Sequence, residues 1–189
     1  HVVISIRPDD FERCIRQTDR YSSMVKEYVV ITQKKLMPIY KNIKSKHKII
    51  VVDEQKLLGK EFDVFVKAPH QKKNWMLRAA VPRLKLLDEQ YIMLDDDNLP
   101  IRRVGIEHYI ENGRYKAYFY NDLLSQKRID TSYDIGQQQT TELLQRNHLE
   151  LLSYSSHCPQ VINKTLFSEM LDKLQSQIGD KQVDEWSMY

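Results

Sequence analysis

Three short apolar runs, Val2 to Ile6, Tyr28 to Ile31 and Ile49 to Val52, alternate with two stretches whose apolar residues recur at helical spacing. In the first stretch Phe11, Cys14, Ile15 and Thr18 follow the i, i+3, i+4, i+7 rule of an amphipathic helix, opened by Pro8 and by Asp9 and Asp10 near the positive end of its dipole. In the second, Thr32 is expected to cap a helix that turns Leu36, Ile39, Tyr40 and Ile43 inward. Strands rich in Val and Ile and apolar on both faces belong to parallel sheets covered by helices, and the crossovers between such strands are helical. The first 53 residues therefore commit the chain to the α/β class, with a mostly parallel sheet flanked by helices. In such sheets ligands bind beyond the carboxyl ends of the strands. Arg7, Thr32, Asp53 and the run Asp95-Asp96-Asp97 all fall at such ends, so the topology is expected to gather them at one crevice.

The acidic run is the main chemical signal. Tyr91 to Leu94 reads as a buried strand that runs directly into three adjacent carboxylates. Three neighbouring acids repel one another, and a divalent cation with a taste for hard oxygen ligands relieves that repulsion. In extended backbone, side chains alternate, which would put Asp95 and Asp97 on one side and Asp96 on the other. The plain alternative is an acidic turn shaped by Asn98 and Pro100. His157, in Ser155-Ser156-His157-Cys158-Pro159, is a candidate third ligand or diphosphate contact, against the common role of a hydrogen-bonded loop residue. Lys72, Lys73, Asn74, Trp75 and Arg78 would suit a phosphate at a helix start, or a solvated helix end with Trp75 in the core. Asp184-Glu185-Trp186 offers a carboxylate beside an aromatic, as a general base would need, yet taken alone it reads as an ordinary helix surface.

The rest of the chain is less regular. Phe62, Val64 and Val66 alternate like a short strand, and Lys72 to Leu87 reads as a helix broken at Pro82, with Leu77, Ala80, Val81, Leu84 and Leu87 inward. Lys116 to Tyr120 and Leu149 to Tyr154 read as strands, and Gln137 to Arg146 as a helix. A last helix is expected to start at Asn163 with Phe167, Met170, Leu171 and Leu174 inward. A net charge of +3, carried by scattered basic residues, gives no basis for nucleic-acid binding. No run approaches the roughly 18 apolar residues of a membrane span. Cys14 and Cys158 stand apart, with no Cys-x-x-Cys, and are expected to be small core residues of a reduced protein. The sequence opens at His1 inside an expected strand, so flanking sequence is expected at one or both ends.

Taken together, the acid triplet at a strand end after an N-terminal α/β half resembles the Asp-x-Asp element of GT-A fold nucleotide-sugar glycosyltransferases. More narrowly, Val3-Ile4-Ser5-Ile6 with Asp10 and Arg13, Asn74-Trp75 through Leu84-Lys85-Leu86 to Tyr91-Ile92-Met93-Leu94-Asp95, His157 with Pro159, and Glu185-Trp186 with Tyr189 are similar to a group of poorly characterised bacterial glycosyltransferase-like proteins. The resemblance implies one GT-A-like domain over 1–189, with a nucleotide-binding half over about 1–100 and an acceptor-side half over about 101–189. It implies that Asp95, Asp97 and His157 hold Mn²⁺ or Mg²⁺ on a donor diphosphate. Ile6, Arg7 and Asp53 would border the nucleotide, with Trp75 and Arg78 also on the donor, and Asp96 and Glu185 would be catalytic, Glu185 as the base for an acceptor hydroxyl. The expected reaction moves a sugar from a nucleotide diphosphate, UDP-linked by preference, to a glycan, lipid or protein, in the cytoplasm or at the inner face of a membrane. Two other outcomes stay open: a stealth-type sugar-phosphate transferase of capsule synthesis, and a non-catalytic binding domain on the same fold. Oligomeric state is not encoded in these patterns.

Overall fold

The computed structural model describes all residues from His1 to Tyr189. Its centre is a five-stranded sheet in the order β3-β2-β1-β4-β9, formed by β1 (Val2–Ile4), β2 (Glu27–Thr32), β3 (Lys48–Asp53), β4 (Gln90–Asp95) and β9 (Gln160–Asn163). β1 pairs in parallel with both β2 and β4, and β2 pairs in parallel with β3. The register places Ile4 beside both Ile31 and Asp95, and Thr32 beside Asp53. The carboxyl ends of four strands therefore share one edge of the sheet. α1 (Pro8–Tyr21) and α2 (Met37–Asn42) make the first two crossovers. The mostly parallel α/β architecture expected from the first 53 residues is present.

One face of this sheet packs Val3, Val30 and Leu94 against Phe11, Cys14 and Ile15 of α1 and Tyr40 of α2. Phe11 meets Tyr40 edge-on at 5.3 Å and Tyr28 at 6.4 Å. Burying a side chain such as Phe11 contributes about 2–3 kcal/mol, so this cluster fixes α1, and with it the loop before α1, against the strand ends. On the opposite face Val2, Val29, Ile31 and Met93 are buried as well. The second crossover departs in detail from expectation. Thr32 closes β2 and caps nothing; a 3₁₀ turn over Lys34–Leu36 leads into α2, and Ile39 is 49% exposed while Tyr40 alone is fully buried.

The chain's contacts resolve into two units. The first is His1–Leu57, Gln90–Ala117 and His157–Ile162; the second is Leu58–Glu89, Tyr118–Ser156 and Asn163–Tyr189. α3 (Glu54–Leu58) leaves the sheet and leads to α4 (Phe62–Lys67) and α5 (His70–Ala80). The alternation of Phe62, Val64 and Val66 is helical and not a strand, with Val64 and Val66 more than half exposed. The decisive pair is Phe62 and Phe65, three apart and stacked at 5.8 Å, the spacing of one helix face. α5 stops at Ala80, and Val81–Arg83 is a 3₁₀ turn containing Pro82, as the missing amide of proline requires.

In the first unit β5 (Ile110–Glu111) and β6 (Arg114–Tyr115) form a hairpin. Lys116 to Tyr120 is not a strand; the strand lies further on, where β7 (Asn121–Asp122) pairs antiparallel with β8 (Leu152–Ser153), only two residues of the run expected over Leu149 to Tyr154. The aromatic run Tyr118-Phe119-Tyr120 has strand propensity but is exposed, so no buried face selects a register for it. α6 (Ser132–Arg146) begins five residues before the expected start because Thr131 and Asp134 form a reciprocal capping box. On α6, Gly136 is a close-approach glycine: a Cβ there would stand 2.7 Å from Gln71 Cγ and 2.8 Å from the Gln182 carbonyl oxygen. α7 (Lys164–Ile178) starts as expected, with the Asn163 side chain accepting from the Leu166 amide. No helix is long and apolar enough to cross a membrane.

Cys14 is buried, but Cys158 is exposed and not a core residue, because it sits in the loop before β9 where no apolar neighbours enclose it. Burial pushes the Cys14 thiol up to about 12. We expect Ellman's reagent to titrate one thiol in the native protein at pH 8 and two in denaturant; two fast thiols in the native state would contradict the packing of α1.

Candidate functional site

The acid triplet lies on the first unit, at the sheet edge where the carboxyl ends meet. β4 ends at Asp95, and Asp96 and Asp97 form a turn closed by the Asn98 amide donating to the Asp95 carbonyl at 3.2 Å. Because the strand stops there, side-chain alternation stops too. Asp95 and Asp97 each find their own partner. Asp95 Oδ2 lies 3.4 Å from Nδ1 of His157. Asp97 is half-exposed and lies 3.3 Å from the Arg7 guanidinium. Asp96 turns inward and is almost fully buried.

Asp96 is the best-held member. Its Oδ2 accepts from the Ser5 hydroxyl at 2.7 Å and from Arg7 Nε at 3.2 Å, and its Oδ1 accepts from the other arm of Arg7. That two-pronged pairing is the geometry the planar guanidinium favours. Arg7 also pairs with Asp10 at 3.3 Å in the first turn of α1. Hydrogen bonding to the accepting Asp96 carboxylate, opposed in part by burial, drives the guanidinium's pKa further upward, so it stays charged. Arg7 thus faces three carboxylates, Asp10, Asp96 and Asp97, and Asp10 is shared with Arg13 at 3.8 Å, so with Asp95 the four carboxylates outnumber the two guanidinium groups.

Asn98 joins the remaining pieces. Its Oδ1 accepts from the Asp95 amide at 2.8 Å, and its Nδ2 donates to the His157 carbonyl at 2.8 Å. His157 is exposed and has φ of 51°, the left-handed region, so this loop takes an uncommon conformation at the residue facing Asp95. Sequence reasoning treated Asn98 as a turn former and overlooked Ser5 and Tyr40. The Asx-turn habit of asparagine pointed to the first; nothing local marked the others, since their partner is 91 positions from Ser5.

The other expected site residues have different surroundings. Ile6 is exposed in the loop between β1 and α1. Asp53 is buried and accepts from the Gln55 amide at 3.0 Å, so it caps α3. Trp75, Arg78 and Glu185 belong to the second unit. Trp75 is packed edge-on to Phe167 at 6.4 Å, and Arg78 is buried 3.7 Å over the Trp186 ring. Asp184 and Glu185 are not on a helix surface: both are buried in the irregular segment after α7. Gln71 donates to Glu185 at 2.5 Å, and Arg78 Nε lies 3.5 Å from its other oxygen. Lys72, expected near a phosphate, is paired with Asp180 at 2.8 Å.

No group of three His, Cys, Asp or Glu side chains is gathered as a metal cluster. The donor chemistry at the turn still fits Mg²⁺ or Mn²⁺. Mg²⁺ is commonly held by one or two carboxylates, with substrate phosphates and water completing its shell; Asp95, beside His157, is a carboxylate of that kind, while Asp97 is engaged by Arg7.

Removing the Asp96 side chain should cost about 2 kcal/mol, since charge-assisted hydrogen bonds from Ser5 and Arg7 are lost together. Removing exposed Asp97 should stay within about 0.5 kcal/mol. Urea denaturation of Asp96→Ala and Asp97→Ala checks this; equal effects would mean that the two acids are not held differently.

Residues 5–189 match the family of unknown function DUF6492, and the chain belongs to it. No curated protein matches it in sequence. Among solved structures it is similar to mouse xyloside xylosyltransferase 1 in its apo form, with a TM-score of 0.55 and 12% identity over 100% of this chain and 78% of that one. At that identity the likeness concerns the fold, and the fold is GT-A-like.

Proposed function

We propose that this family member transfers a sugar from a nucleotide diphosphate donor, UDP-linked by preference, to a glycan, lipid or protein acceptor, with Mn²⁺ or Mg²⁺ at the acid turn. The observation that carries the reading is the position of that turn: acidic side chains stand at the carboxyl end of a central parallel strand in a GT-A-like fold, with His157 beside Asp95. Ligands of open α/β sheets collect at that edge. The similar solved structure is that of a xylosyltransferase, which supports glycosyl transfer as the class of reaction.

Each residue's part follows from its surroundings. Asp95 and His157 would hold the cation, with Asp97 as a further ligand once released from Arg7. When bound there, the cation would supply charge that stabilises a departing diphosphate. The excess of carboxylates over cationic side chains around Arg7 favours its capture. Arg7 stays cationic beside the turn, where it balances the acids before the donor arrives. Asp96 is engaged on both oxygens and serves as an anchor in this reading. Glu185 is likewise engaged by Gln71 and Arg78.

A panel of nucleotide sugars incubated with MnCl₂ should release free UDP slowly, and EDTA should stop the release. Asp95→Asn should lower kcat/KM by about 10²-fold or more, with an unchanged melting temperature. Release of UMP would indicate sugar-phosphate transfer instead. Turnover indifferent to EDTA and to Asp95→Asn would overturn the proposal.

A further inference from the structure

We infer that Ser5 and Tyr40 are positioning residues for the acid turn, acting through Asp96. The inference rests on the glycosyl-transfer reading only for the ligand the turn would hold. Its basis is the direction of a buried hydrogen-bond chain. The Ser5 hydroxyl lies 2.7 Å from Asp96 Oδ2 and 2.6 Å from the Tyr40 hydroxyl, and the Arg7 amide donates to Ser5 Oγ at 3.2 Å. A carboxylate can only accept, so Ser5 gives its single proton to Asp96. Tyr40 must then be the donor to Ser5. Burial pushes the Tyr40 phenol's pKa upward, so it keeps the proton it donates.

Ser5 Oγ thereby donates to Asp96 at 2.7 Å and accepts from Tyr40 and from the Arg7 amide, while the Arg7 carbonyl at 3.4 Å is the more distant acceptor for its one proton. Tyr40 is fixed from the other side by Phe11 in the core. The chain of donors runs from α2, through the end of β1, into the turn after β4, three segments distant in sequence. A carboxylate buried between two other acids persists only when it is hydrogen-bonded and charge-compensated. Drawing Asp96 inward is what leaves Asp95 facing His157 and Asp97 facing outward.

The test uses the full chain with Ser5→Ala, Ser5→Thr and Tyr40→Phe. NMR-detected hydrogen exchange of the Asp95 and Asn98 amides, without metal or nucleotide, reads the turn itself. Mn²⁺ affinity in the presence of UDP, from the electron paramagnetic resonance of free Mn²⁺, reads its ligand. We expect Ser5→Ala to lose about tenfold protection at both amides, the effect of one charge-assisted hydrogen bond. It should also weaken Mn²⁺ binding about tenfold, as loss of an orienting partner does. Ser5→Thr, which keeps the hydroxyl, should restore both, and Tyr40→Phe should shift both in the same direction as Ser5→Ala by less. If Ser5→Ala fails to fold, Tyr40→Phe decides. Unchanged protection in the hydroxyl-deleted variants would overturn the inference. Lost protection, with no Mn²⁺ binding by any of the proteins including the parent, would uphold the inference and count against glycosyl transfer.

Discussion

The parallel pairing of β1 with β4 is the constraint on which the rest of the candidate site depends. It sets Ile4 beside Asp95, so the residues that follow each strand emerge together. Ser5 and Arg7 thereby meet Asp96, 91 and 89 positions away in sequence. If the register slipped by one residue, each side chain of β4 would move to the opposite face, exchanging Met93 and Leu94 between the two buried sides of the sheet. The apolar core that fixes the register also fixes the polar edge. Packing and chemistry are coupled through a strand pair with only three matched positions.

The turn illustrates how like charges can be kept close. Asp95, Asp96 and Asp97 adjoin in sequence but differ in surroundings: an imidazole for the first, a hydroxyl and a guanidinium for the second, and the guanidinium's outer edge for the third. Arg7 is suited to this because its planar fork can engage Asp96 with two nitrogens while reaching two other acids. Lysine, with a single charged centre, could not reproduce that pattern. Arg7 is itself placed by Pro8, whose fixed φ suits the first position of a helix that turns away from the strand end.

Much of this architecture was readable before the structure. Continuous Val/Ile runs separated by helical periodicity specify parallel strands because both faces need burial, and β1, β2 and β3 lie close to where those runs fall. The acid triplet was visible for the same reason, as an abrupt change from apolar to charged. Its internal arrangement was not, because alternation applies only while the backbone remains extended, and β4 ends at Asp95. The second unit was less legible. Its segments are short, so Phe62 to Val66 matched a strand pattern while folding as a helix. Its polar residues are buried by contacts between distant segments: Gln71 with Glu185, and Asp184 with Ser155 and Ser187. A buried carboxylate satisfied by distant partners leaves the same local trace as a solvated one, which is why Asp184 and Glu185 read as surface.

The side chain of Asn98 has a further consequence. One amide grips the backbone of Asp95 with its oxygen and the backbone of His157 with its nitrogen. The residues that carry the carboxylate and the imidazole thus hang from a common clasp. The loop that carries His157 borrows rigidity from a strand that ended some sixty residues earlier. Because the backbone beneath both groups is already tied, less of it remains to be ordered when either group is engaged.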